Sequence, residues 1–125
     1  MNGYTDKVPT MNEIRWNILS NGAATQWGRE MRHYTLAIGE ARFDYYQGMG
    51  IQHAPKIADI LNCLLSDMQL CDMSFDDFCD NCDYATDSRK ALDTYLSCQQ
   101  NGVKLRKALG KYFDQVRSEV EALEI

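Results

Sequence analysis

The sequence predicts an α+β fold: a small antiparallel sheet of about three strands, followed by three or four helices packed on one face of it. Apolar residues alternate with polar ones between positions 13 and 46, then recur at intervals of three and four beyond 56. The two periods occupy separate parts of the chain, which is the arrangement of an α+β protein. A chain of 125 residues forms one domain with a real hydrophobic core. The division expected is 1–12 as a lead-in, 13–46 as strands and 56–122 as helices.

Glu13 to Leu19 places Ile14, Trp16 and Ile18 on one side and Arg15 and Asn17 on the other, the period of a half-buried strand. Ser20-Asn21-Gly22 is a turn signal and is expected to end it. From Trp27 to Ile38 the alternation sets Tyr34, Leu36 and Ile38 against Met31, His33 and Thr35. Gly39-Glu40 then separates this run from Ala41–Tyr46, and a glycine at the first position of a two-residue loop suits a type II′ hairpin.

Beyond the Gly48-Met49-Gly50 loop and Pro55, the residues Ile57, Ile60, Leu61, Leu64, Leu65 and Met68 form one apolar stripe, so Lys56 to about Leu70 is an amphipathic helix. Ser74 is placed as the cap of a short helix holding Phe75, Phe78 and Cys79. Thr86 or Asp87 caps the next, in which Ala91, Leu92, Tyr95, Leu96 and Gln99 share a face. Asn101-Gly102 marks a stop or kink, and Leu105, Ala108, Leu109, Phe113, Val116 and Val120 resume the helical period. The expected core holds Ile60, Leu61, Leu64, Leu92, Leu96 and Leu109, with most aromatics beside them. Trp27, Tyr34 and Tyr46 are the aromatics expected at a surface patch.

Charge is unevenly distributed. The net charge is −5, and positions 57–87 contain eight aspartates and no lysine or arginine. Positions 88–117 reverse the sign with seven basic residues. An acidic chain is a poor ligand for phosphate backbones unless its positive charge is concentrated. No stretch is apolar enough to cross a membrane, and the first ten residues lack a basic end followed by an apolar run, so a cytoplasmic protein is expected.

Motifs for chemistry are missing. Gly48-Met49-Gly50 lacks the spacing and the lysine of a phosphate loop. The aspartates do not follow the alternating order of a calcium loop. Cys79-x-x-Cys82 is half of a zinc site with no second half, and an odd count of five cysteines favours reduced thiols over disulfides. His33 is expected to make a cross-strand polar contact, and neither it nor His53 has a nucleophile and oriented acid beside it in sequence. No enzyme, no metal and no cofactor are expected.

Several segments together resemble small accessory proteins encoded by tailed bacteriophages and prophages. They are Phe43-Asp44-Tyr45-Tyr46 with Gly48 and Gly50, Ala58-Asp59-Ile60-Leu61, Ser74-Phe75-Asp76-Asp77-Phe78-Cys79, Asp87-Ser88-Arg89-Lys90-Ala91, and Leu105-Arg106-Lys107-Ala108-Leu109-Gly110. Where such proteins carry a Gly-Tyr pair before the Asp-Ser-Arg-Lys-Ala segment, this chain has Cys82-Asp83-Tyr84, an altered turn. The resemblance implies phage origin and a role directed at a host protein or nucleoprotein complex; from charge and hydropathy, no direct nucleic-acid contact and no membrane partner are expected. The reading that joins it to the charge pattern is an inhibitor of host defence of the anti-CRISPR kind, with Asp72, Asp76, Asp77, Asp80 and Asp83 as its acidic binding surface and Trp27 and Tyr46 as aromatic anchors. The competing reading is a nucleic-acid or acidic-partner binder that uses the basic helix of 88–117.

Overall fold

In the computed structural model, which describes residues 14–123, the alternating stretch becomes three antiparallel strands in the order β1 (Trp16–Gln26), β2 (Arg29–Ile38) and β3 (Ala41–Gly48). The lead-in expected over 1–12 lies outside the described residues. Four helices follow: α1 (Ile57–Leu70), α2 (Phe75–Cys82), α3 (Arg89–Leu109) and α4 (Phe113–Leu123), with a 3₁₀ turn over Gly110–Tyr112 joining the last two.

Ser20-Asn21-Gly22 does not end β1. The register slips between Ser20 and Ala23 as a bulge, in which Gly22 adopts φ 82° and the Asn21 amide donates to Thr35 Oγ1 at 2.7 Å. A glycine that absorbs the extra residue lets the ladder resume beyond it. The strand then runs to Gln26 and turns at Trp27-Gly28, with Gln26 facing Arg29. Both turn residues have positive φ, 54° and 76°, the type I′ geometry that hairpins favour and that Asn-Gly normally supplies. At the other hairpin Gly39 has φ 58° and Glu40 does not share it, as a type II′ turn requires.

The face made by Trp16, Ile18, Leu36, Ile38, Phe43 and Tyr45 packs on α1, α3 and α4. Its core joins Leu36, Ile38 and Phe43 to Ile57, Ile60, Leu61, Leu64, Leu105, Leu109, Phe113, Val116 and Val120. Residues of the opposite face, Met31, His33 and Thr35 among them, belong to neither core of the molecule. The helices therefore cover one face of the sheet.

In α3 the buried seam is Ala91, Gly102, Leu105 and Leu109, with Tyr95 and Cys98 half-buried between them. Leu96 lies one position off this seam and is 43% exposed, and Leu92 is only half-buried. These two leucines are corrected from the expected core. Small residues define the seam because α1 comes close: a Cβ on Gly102 would meet Met68 Cγ at 3.1 Å. Gly102 is thus a contact point inside an unbroken helix, and the break falls at Gly110, where φ is 53°. The cap of α3 is Ser88, which accepts from the Ala91 N–H at 3.1 Å, in place of Thr86 or Asp87. Ser74 caps α2 as expected, accepting from the Asp77 N–H at 3.2 Å. Among the described residues no helix is long and apolar enough to cross a membrane.

Candidate functional site

Two surfaces gather the residues singled out from the sequence, and they lie on different parts of the fold. The first is α2. Phe78 and Cys79 are buried against Ala91 of α3, with Phe75, Cys82, Tyr84 and Tyr95 around them, in a small core separate from the main one. The Phe78 ring lies 5.1 Å from Tyr95 and 6.0 Å from Tyr84. Tyr95 Oη donates to the Met73 carbonyl at 2.6 Å, which fixes the loop leading into α2. With this side held, Asp76, Asp77 and Asp80 face outward, and Asp72 and Asp83 continue the surface at either end. All five are exposed. Among the described residues none of their carboxylates forms an ion pair or a hydrogen bond.

Position along the helix separates these acids. Asp76 and Asp77 lie in the first turn of α2, where negative charge complements the macrodipole. Asp80 and Asp83 lie at the other end, where no basic residue answers them and the dipole opposes them. Asp83 also holds φ 60°, the left-handed conformation that glycine adopts without strain. This is the position at which the altered Cys82-Asp83-Tyr84 turn was expected.

The second surface is the outer face of the sheet. Trp27 and Tyr46 meet edge to face with centroids 5.8 Å apart. Tyr46 stacks on its cross-strand partner His33 at 4.8 Å and 12°. His33 Nε2 lies 2.9 Å from Asp44 Oδ1, the cross-strand polar contact expected of it. Trp27 is 62% exposed. Tyr34, expected with them, is buried on the helix side of the sheet. The structure brings Trp27 and Tyr46 together but does not join them to the aspartates of α2. Sequence reasoning missed the involvement of His33 and Asp44 in this ring cluster. The Trp-Gly pair between two alternating runs was the signal for a hairpin at Trp27.

The basic residues of 88–117 do not form one surface. Lys104 lies over the Phe43 ring at 4.8 Å, Arg106 over Phe113 at 4.3 Å and Lys111 over Tyr112 at 5.3 Å. Arg117 also lies over Phe113, at 5.6 Å, so four of the seven basic residues of 88–117 are drawn onto rings of the protein itself. Arg89 and Lys90 open α3 while Lys107 lies near its end, about 26 Å away at 1.5 Å per residue. A groove of about 530 Å³ runs between α1, α3 and α4, lined by Leu65, Met68, Gly102, Val103, Arg106 and Phe113 among others. A second, of about 490 Å³, is lined by Trp16, Ile18, His53, Ala54, Pro55 and Lys56, without an acid or a nucleophile.

Cys79 and Cys82 both lie on α2, Cys79 facing its small core. Among the described residues no three His, Cys, Asp or Glu side chains are grouped so as to hold a metal ion. Burial, reinforced by the Asp67 carboxylate and neighbouring thiols, pushes the Cys98 thiol up to about 11. Burial likewise raises Asp67. Neither a protein-family model, nor a curated protein, nor a solved structure matches the chain.

Proposed function

We propose that the protein is a non-catalytic inhibitor, of phage origin and of the anti-CRISPR kind, that binds a nucleic-acid-handling host effector through the acidic face of α2. The observation that carries this reading is the placement of Asp80 and Asp83. Helix capping and the macrodipole account for Asp76 and Asp77, but they oppose carboxylates at the far end of the same helix. Unpaired and exposed acids kept where they weaken their own helix are explained by an external cationic partner. Such a partner is a Lys/Arg channel built for phosphates, and no basic residue is interspersed among the acids over 57–87. Complementary fields of this kind speed encounter and fix register.

The competing basic-helix reading is weakened by the four cations held over rings of the protein itself. The two readings separate in a cleavage assay with guide-loaded RNA-guided nucleases. The wild-type chain is expected to suppress target cleavage, and reversal of Asp76, Asp77, Asp80 and Asp83 to lysine to relieve the suppression. Arg89→Glu with Lys107→Glu is expected to leave it intact. Suppression lost in the Arg89/Lys107 variant and kept in the aspartate variant reverses the assignment, and a wild-type chain that suppresses no nuclease of the panel contradicts the inhibitor reading.

A further inference from the structure

The sign of the charge changes between the two layers of the molecule. Residues 14–56, the sheet and its loops, carry five basic residues against three acidic ones, whereas 57–123 carry seven basic against twelve acidic. Register assigns Arg29, His33, Asp44, Tyr46 and Arg42 to the outer face, since each pairs with or alternates with Met31, Thr35 and Ala37. The rings of Trp27, Tyr46 and His33 sit together in the first half of this face. Arg29 lies beside them at the hairpin tip. Arg42 lies at the opposite end, its guanidinium fixed by the Gly39 and Ala41 carbonyls at 2.9 and 3.0 Å. Those contacts orient the cation without neutralising it. Asp44, the one carboxylate among these outer-face strand residues, is engaged by His33.

Trp27 adds a second line of evidence. It is a bulky residue at φ 54°, a conformation unfavourable for an L-residue with a Cβ and one that asparagine or glycine accepts readily at this turn. Residues kept in such conformations cluster at binding sites. The ring packs edge to face on Tyr46 and still stands 62% exposed, so most of its surface is open to a ligand.

We infer that the outer face of the sheet is a stacking platform for a single-stranded nucleic acid, its bases on Trp27 and the Tyr46–His33 pair and its phosphates on Arg29 and Arg42. The nine residues of β2 from Arg29 to Ala37, the partner of Arg42, span about 26 Å over their eight steps at about 3.3 Å each. That length suits a run of about four nucleotides. An acidic protein surface would use the arginines but has no need of a ring ladder, whereas stacking on aromatic side chains with cations tracking the backbone is how single strands are held. The inference stands apart from the acidic-face reading, because the two surfaces share no residue and can be mutated separately.

Fluorescence anisotropy with short labelled oligo(U) and oligo(dT) strands, and with a duplex of equal length, tests it at low salt on the full chain. Single strands are expected to bind and the duplex to bind at least about tenfold more weakly. Trp27→Ala and Tyr46→Ala should each weaken single-strand binding by about tenfold. Trp27→Asn relieves the turn, so it should keep the wild-type melting temperature and still lose the binding. Absence of single-strand binding by the wild-type chain overturns the inference, as does equal affinity for duplex. So does binding that survives both ring substitutions and disappears in Lys107→Glu.

Discussion

The tip of the β1–β2 hairpin and the end of α2 are alike in one respect and opposite in another. Each holds a non-glycine residue in the left-handed conformation, Trp27 at φ 54° and Asp83 at φ 60°, and the described residues contain no others. Beside Trp27 lie the rings of Tyr46 and His33; beside Asp83 lie the acids of α2. Their support also differs. The hairpin belongs to a sheet anchored in the main core, while α2 rests on a separate cluster centred on Phe78, Cys79 and Ala91. The two left-handed residues therefore sit on differently supported surfaces, and the two places can be perturbed independently.

The largest expected effect removes the independence by removing the shared frame. Leu64 is buried in the main core between sheet and helices, and Leu64→Ala should cost about 2–5 kcal/mol in chemical denaturation. Both surfaces should be lost together. A loss below about 0.5 kcal/mol would place Leu64 outside the core.

Next, Ser74→Ala removes the acceptor for the Asp77 N–H and should cost about 1 kcal/mol. Hydrogen exchange should show faster opening confined to α2, with β2 and β3 unchanged. Uniform loss of protection would mean that the small core is not a separate unit. At Asp83 the sign reverses: Asp83→Gly should stabilise the chain by about 1 kcal/mol, since glycine takes positive φ freely, and a fall in melting temperature would contradict the strain assigned there.

The smallest effect is a matter of pH. Burial raises the Asp67 carboxyl from its ordinary 3.8, so the folded state holds this proton more tightly than the unfolded chain does. Stability linked to the proton is present below the ordinary value and is lost as pH rises through the raised one. Asp67→Asn should therefore raise the melting temperature at pH 7 and leave it nearly unchanged at pH 3. The opposite pattern would show that Asp67 is stabilised as the anion.

Fold class was legible from period alone, because strand and helix patterns occupy separate stretches. What escaped was set by single residues whose role depends on a neighbour. Ser20-Asn21-Gly22 has the composition of a turn, yet it forms a bulge because Thr35 on the next strand takes the Asn21 amide. Leu96 has the hydrophobicity of a core residue, yet the seam of α3 passes through Cys98 and Gly102, chosen by the approach of Met68. At the candidate sites the acids of α2 were legible as a charge run, and Trp27 and Tyr46 as unplaced aromatics. That His33 and Asp44 extend the ring cluster followed only from strand register, which pairs His33 with Tyr46 and Thr35 with Asp44.

The central claim is that the carboxylates of α2 stand in for phosphates. The dissociation constant of the chain with a guide-loaded RNA-guided nuclease that it suppresses, measured across a range of salt, tests this most directly. The wild-type chain should bind with a steep salt dependence. The variant with Asp76, Asp77, Asp80 and Asp83 reversed to lysine, shown to be folded by its melting curve, should bind more weakly and with a shallower slope. A folded variant that keeps both the affinity and the salt slope of the wild type would contradict the claim.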